Sequence, residues 1–166
     1  NPAKAAWYFL GLQELLLHMH PLAALALVGL AAAALVSIPF VDRDDKDVGT
    51  YFRSPVGKRA ALIGSALALN LTPILVVLDE YLIDLPAWLP ALLPEITTGL
   101  IPFLLTLLVF VGLYFGLRKS DLHQKERANH SEALLGVFAF AITGLVIMTI
   151  IGIFFRGPNM ALVLPF

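Results

Sequence analysis

The chain has 166 residues, of which 59% are hydrophobic and 14% charged, with a mean hydropathy of +0.86 and a net charge of −1. Soluble domains carry about 25% charged residues, so this composition excludes a water-soluble globule, and no basic patch invites nucleic acid. The absence of cysteine excludes disulfides, thiolate metal sites, cysteine-ligated iron–sulfur clusters and covalent c-type haem within the chain.

The opening segment, 1–20, starts Asn1-Pro2 without Met, as expected of a processed chain or of part of a longer product. It shows no signal-peptide pattern, and the chain's own apolar spans are expected to serve for insertion. From Trp7 to His18 only Gly11 weakens a helix. At about 100° per residue, Trp7, Leu10, Glu14, Leu17 and His18 share one face. The stretch is too short to cross a bilayer, so it reads as an amphipathic helix at the interface. Trp7 and Tyr8 then anchor at the headgroups, with His18 and His20 in water. Glu14 is a lone carboxyl among aromatics and leucines. Desolvation is expected to raise its pKa and let it take a proton near neutral pH. Beside the phenol of Tyr8 it would form an aromatic slot suited to a hydroquinone.

Four apolar segments follow, at 21–41, 60–78, 96–117 and 133–155, none with an internal charge. Each approaches the roughly 20 residues that a membrane helix needs, and only helices satisfy an open backbone inside lipid. The expected fold is therefore all-α: one interfacial amphipathic helix, then four transmembrane helices in a single membrane domain. Pro73 should kink or end the second span. Gly136, Gly144 and Gly152 recur every eight residues along the fourth, a spacing that fits either a close helix contact or the general abundance of glycine in membrane helices.

Charge sets the expected orientation. Arg43, Lys46, Arg53, Lys58 and Arg59 lie between the first two spans, and Arg118, Lys119, Lys125 and Arg127 between the last two. The middle connector has only Asp79, Glu80, Asp84 and Glu95, with Trp88 among three prolines. The positive-inside rule puts both basic loops in the cytoplasm. Residues 1–20, the acidic connector and the tail 156–166 then face the outer (periplasmic) side of the cell's inner (cytoplasmic) membrane.

Other candidate sites weigh little. The acids of the 42–47 run interleave with bases, as in a solvated loop rather than a cation site. His18 and His20 sit at a span's edge and His123 and His130 in a loop, so no pair is placed to ligate a haem within the bilayer. No metal-binding motif, phosphate loop or hydrolase elbow is present. No internal charge marks an ion path for a transporter.

Trp7-Tyr8-Phe9-Leu10 resembles the Pro-Glu-Trp-Tyr-Phe-Leu motif of the cytochrome b carboxyl-terminal domain, a separate subunit IV in b6f complexes. Tyr51-Phe52-Arg53-Ser54-Pro55-Val56 resembles that family's Phe-Arg-Arg-Pro-Val segment. The closing Phe155-Arg156-Gly157-Pro158-Asn159-Met160 is similar to the tail of bacterial menaquinol–cytochrome c reductases. The order of motifs and helices agrees over nearly the whole chain.

The resemblance implies a subunit of a dimeric quinol oxidoreductase. It implies a haem-binding cytochrome b amino-terminal chain, a Rieske 2Fe-2S protein and a c-type cytochrome as partners. The cofactors sit on those partners, haem b included, and none is ligated by this chain; the substrate is menaquinol or ubiquinol, oxidised at the outer face with proton release outside. Trp7, Phe9 and Leu10 become pocket wall, Tyr8 a hydrogen-bond partner, and Glu14 the proton acceptor. Two departures stand out. Ala5-Ala6 replaces the family's Pro-Glu, so the usual proton-accepting glutamate is missing, and either Glu14 takes over its role or the pocket binds quinol without oxidising it; the helix that precedes the motif is not in this sequence, as expected of a chain read from partway through. The alternative expectation is a structural membrane anchor derived from cytochrome b, without a working quinol site.

Overall fold

The computed structural model describes residues 4–41, 54–123 and 126–163. A 3₁₀ turn at Trp7–Phe9 leads into α1 (Leu10–His18) and α2 (Pro21–Val41). Then come α3 (Pro55–Tyr81), the short α4 (Leu85–Trp88), and α5 (Ile101–Lys119), entered through a π turn at Ile96–Leu100. A two-stranded antiparallel ribbon, β1 (Asp121–His123) with β2 (Glu126–Arg127), precedes α6 (His130–Phe154). Among the described residues, four helices are long and apolar enough to cross a membrane. The protein is an all-α, multi-pass membrane protein. The acidic run at 42–47 and Tyr51-Phe52-Arg53 lie outside the described residues.

The centre of the bundle is the α3–α6 pair, and glycine makes it close. A side chain at Gly64 would collide with the Gly136 carbonyl, and one at Gly136 would lie 2.9 Å from the Ala60 carbonyl oxygen. One repeat further on, Gly144 faces the Thr72 hydroxyl, and Gly152 then faces Leu10 of α1. The eight-residue glycine spacing is thus a packing surface, shared between α3 and α1. Lipid tails are as apolar as leucine, so close backbone packing carries much of the attraction between such helices. By contrast α2 is exposed over most of its length.

Helix ends differ from the expected 60–78 and 133–155 because polar residues cap them. Ser54 accepts a hydrogen bond from the Gly57 amide at 3.2 Å, and Pro55 takes the first helical position. Asn129 and Glu132 form a capping box that starts α6 at His130. The Ser54 hydroxyl also donates to the Glu132 carboxylate, so the two helix starts are joined. Ser54→Ala is expected to lower stability by about 1–2 kcal/mol, read as a lower Tm in detergent, with Ser54→Thr retaining most of it. Pro73 does not end α3, which continues through Asp79 and Glu80 to Tyr81.

Arg59 donates to the Leu122 carbonyl at the same end as the Ser54–Glu132 pair. The other end gathers α1, the last turns of α3 and α6, and the tail.

Candidate functional site

The tail folds back to place one cation. After α6 the Gly157 amide donates to the Ala161 carbonyl, the Val163 amide to the Phe155 carbonyl, and Arg156 pairs with Leu162. Asn159 and Met160 both take positive φ, 58° and 61°. Asparagine tolerates this conformation, whereas for methionine it costs roughly 1–2 kcal/mol. The turn aims the Met160 carbonyl at Arg156 Nη1, 2.9 Å away, and buries the methionine side chain.

Arg156 meets Glu14 from the other end of the chain. Its Nε donates to both Glu14 oxygens at 3.0 Å, and its Nη2 donates to Oε1. Nη1 donates in addition to Glu80 Oε2 at 2.7 Å. Glu14 is fully buried and Arg156 only 4% exposed. His18, one turn along α1, lies with Nε2 3.2 Å from Glu14 Oε1 and Nδ1 2.6 Å from Asp79 Oδ2. Protonated on both nitrogens, it donates to both carboxylates. Three carboxylates then face two cations, a net charge of −1, with Glu14 and Arg156 buried and Asp79 and Glu80 open to solvent in part.

The electrostatics follow from these contacts. Burial pushes the Glu14 carboxyl up, but hydrogen bonds from His18 and Arg156, with their charges, more than offset it. The carboxyl is held below its usual range. The expected upward shift at Glu14 is therefore corrected: the carboxylate has a buried guanidinium beside it. Burial pushes His18 down, and Asp79 and then Glu14 more than reverse this, raising it to about 9. The expectation of a wet His18 is corrected too. Burial also lowers Arg156, and its bonds to Glu14 and Glu80 return it above its ordinary value.

A group whose folded pKa lies above its unfolded value of about 6.5 stabilises fully below that value and loses the contribution through the folded pKa. Stability is therefore expected to fall between about pH 6.5 and 9 because of His18, and His18→Gln should flatten that decline in a series of melting curves.

The aromatic motif sits apart from this cluster. Trp7, Tyr8 and Phe9 are 70%, 62% and 53% exposed, their rings in edge-on and tilted contact. The 3₁₀ turn takes Trp7 off the α1 face on which regular helical spacing had placed it. Leu10, expected in a pocket wall, is buried against Gly152. Lys4 donates to the Ile153 carbonyl and the Ala5 amide to Gln13 Oε1, which tie the start of the motif to α6 and α1.

At the opposite end of α1 a cleft of about 360 Å³ opens between α1, the end of α3 and the π turn. Its walls include Leu17, Ile83, Leu85 and Pro102, with His18, Asp79 and Thr98 among the polar groups. The Asp79 side chain is 41% exposed.

Of the expected site residues, the structure joins Glu14 to a partner but not to Tyr8. Arg156, Glu80 and Asp79 complete the cluster and went unassigned in the sequence. A signal was present: after the fourth span Arg156 is the lone base, on the side that holds the unpaired acids of the connector. Compared with models of known families, with curated proteins and with solved structures, the chain matches none.

Proposed function

We propose that this chain is a membrane subunit of a Rieske/cytochrome b-type quinol oxidoreductase, lining part of its quinol-oxidation region on the outer side. The observation that carries the reading is the Trp7-Tyr8-Phe9 turn. Three adjacent aromatic rings stay exposed on a helix whose inner face is fixed by the buried Glu14–Arg156 pair. Uncovered rings in contact with one another suit a wall that a partner chain or a flat ligand completes. The order of the three motifs, and the gathering of α1, the acidic connector and the tail at one end, fit the same reading.

In this role Tyr8 offers a phenol at the rim, and Glu14 holds α1 in place as an ionised carboxylate. Haem b and the Rieske cluster would belong to partner chains and would accept the electrons there. The test is isolation of the assembled complex through a tag on this chain. Co-purifying b-type haem and an iron–sulfur protein are the expected result; a different catalytic head contradicts it.

A second reading, a structural anchor without a quinol site, is favoured by one observation. The acid nearest the motif is neutralised by Arg156 rather than left open to a ligand. In that case Trp7→Ala would leave the activity of the complex unchanged.

A further inference from the structure

We propose that the uncovered face of α3 pairs with α3 of a second copy of this chain, the two Asn70 side chains hydrogen-bonding each other inside the membrane. The pairing is independent of the quinol reading above.

The packed face of α3 carries Ala60, Gly64, Ala68, Thr72 and Val76, all buried. Asn70 follows Ala68 around the helix by about 200°, and it is exposed on the opposite side. Ile63, Ala66, Asn70, Pro73 and Val77 recur at spacings of three and four residues, exposed or half-buried, and form one outward stripe. Depth follows from charge. Between Arg59 and Asp79 the helix carries none, and Leu69 is the midpoint of that stretch. Asn70 therefore lies about 1.5 Å along the axis from the centre of the apolar span.

A polar side chain at that depth has no water to bond. Other spans meet the need of their hydroxyls within the chain: Thr106 donates to the Pro102 carbonyl, Thr149 to the Leu145 carbonyl and Thr143 to Ser65. A primary amide asks for more, with two N–H donors and an acceptor oxygen. Asn70 Nδ2 donates to the Ala66 carbonyl at 2.7 Å, which uses one N–H. The other N–H and Oδ1 have no partner among the described residues. One turn on, Pro73 has no N–H to offer the Leu69 carbonyl, so a further acceptor lacks its helical donor.

A second copy supplies what is missing. Copies of one membrane protein insert the same way up, so a two-fold axis along the membrane normal sets equal residues at equal depth. The amide is its own complement: each free Nδ2 N–H donates to the other copy's Oδ1. Those two bonds occupy both idle donors and both oxygens. Ala66, one turn away, is small enough to let the backbones approach. By contrast α2 is equally uncovered, but its side chains from Leu22 to Val36 are apolar and are satisfied by lipid.

The chain has no cysteine, so single introduced thiols report contacts without background. Ala66→Cys, oxidised with copper phenanthroline in native membranes, is expected to give a disulfide-linked species of twice the chain's mass, which requires Cα atoms within about 7 Å. Val36→Cys on α2 is the control for chance collisions and is expected to give little. When the membranes are diluted with added lipid, Asn70→Leu in the Ala66→Cys background is expected to move half-maximal cross-linking to about tenfold higher protein density. Asn70→Gln should restore most of the loss. The Ala66→Cys result needs no change at Asn70, so it stands whether or not Asn70→Leu folds. The pairing is overturned by an adduct with a different protein, by a yield at Ala66→Cys no higher than at Val36→Cys, or by cross-linking that Asn70→Leu leaves unchanged.

Discussion

Arg156→Leu is expected to destabilise the protein by about 3–5 kcal/mol, because it leaves Glu14 charged and buried without its partner. The guanidinium bonds Glu14 through two nitrogens, reaches Glu80 and holds the Met160 carbonyl. Its loss therefore frees the tail as well as α1. Against a typical total stability of about 5–15 kcal/mol, the variant should accumulate poorly, and what folds should melt far earlier in detergent. Arg156→Lys should recover only part, since one ammonium cannot span Glu14, Glu80 and Met160 together. The double variant Arg156→Leu with Glu14→Gln should be more stable than Arg156→Leu alone, because the uncompensated charge is gone. Equal stability of the single and double variants would mean that the pair is not a buried charge pair.

Gly64→Val is expected to separate α3 from α6 and abolish the folded state. An added side chain there meets the Gly136 backbone, which cannot move aside as a flexible side-chain tip can. Overpacking a well-packed core typically costs about 1–3 kcal/mol, and here the obstacle is rigid backbone along the closest helix pair. Gly112→Ala and Gly116→Ala are the controls. Nothing lies within 4 Å of a side chain built at either position. Both should leave melting unchanged or raise it by about 0.5–1 kcal/mol through helix propensity. Circular dichroism melts of the four proteins separate close packing from a general aversion to replacing glycine.

Sequence carried the four spans because hydrophobic length is local. The glycine spacing of the fourth span was legible too, though not that its third glycine turns from α3 to α1. Helix ends were misjudged where charge was read as a boundary. Asp79 and Glu80 stay helical because His18 and Arg156 pair with them. At Glu14 the burial was legible and the sign of its consequence was not. A lone acid among apolar neighbours predicts an upward shift, but its neutralising partner is 142 residues away. The pairing depends on how the tail turns at Asn159 and Met160, which no periodicity encodes. The cleft was invisible for a similar reason, since its walls come from three separate stretches of chain, 17–21, 79–86 and 97–102.

The most direct test of the central claim is quinol-driven haem reduction in the complex isolated through this chain, followed in a stopped-flow spectrometer. The account predicts rapid reduction of a b-type haem on adding menadiol, slowed by Trp7→Ala. An assembly that contains this chain but shows no quinol-reducible haem would contradict it.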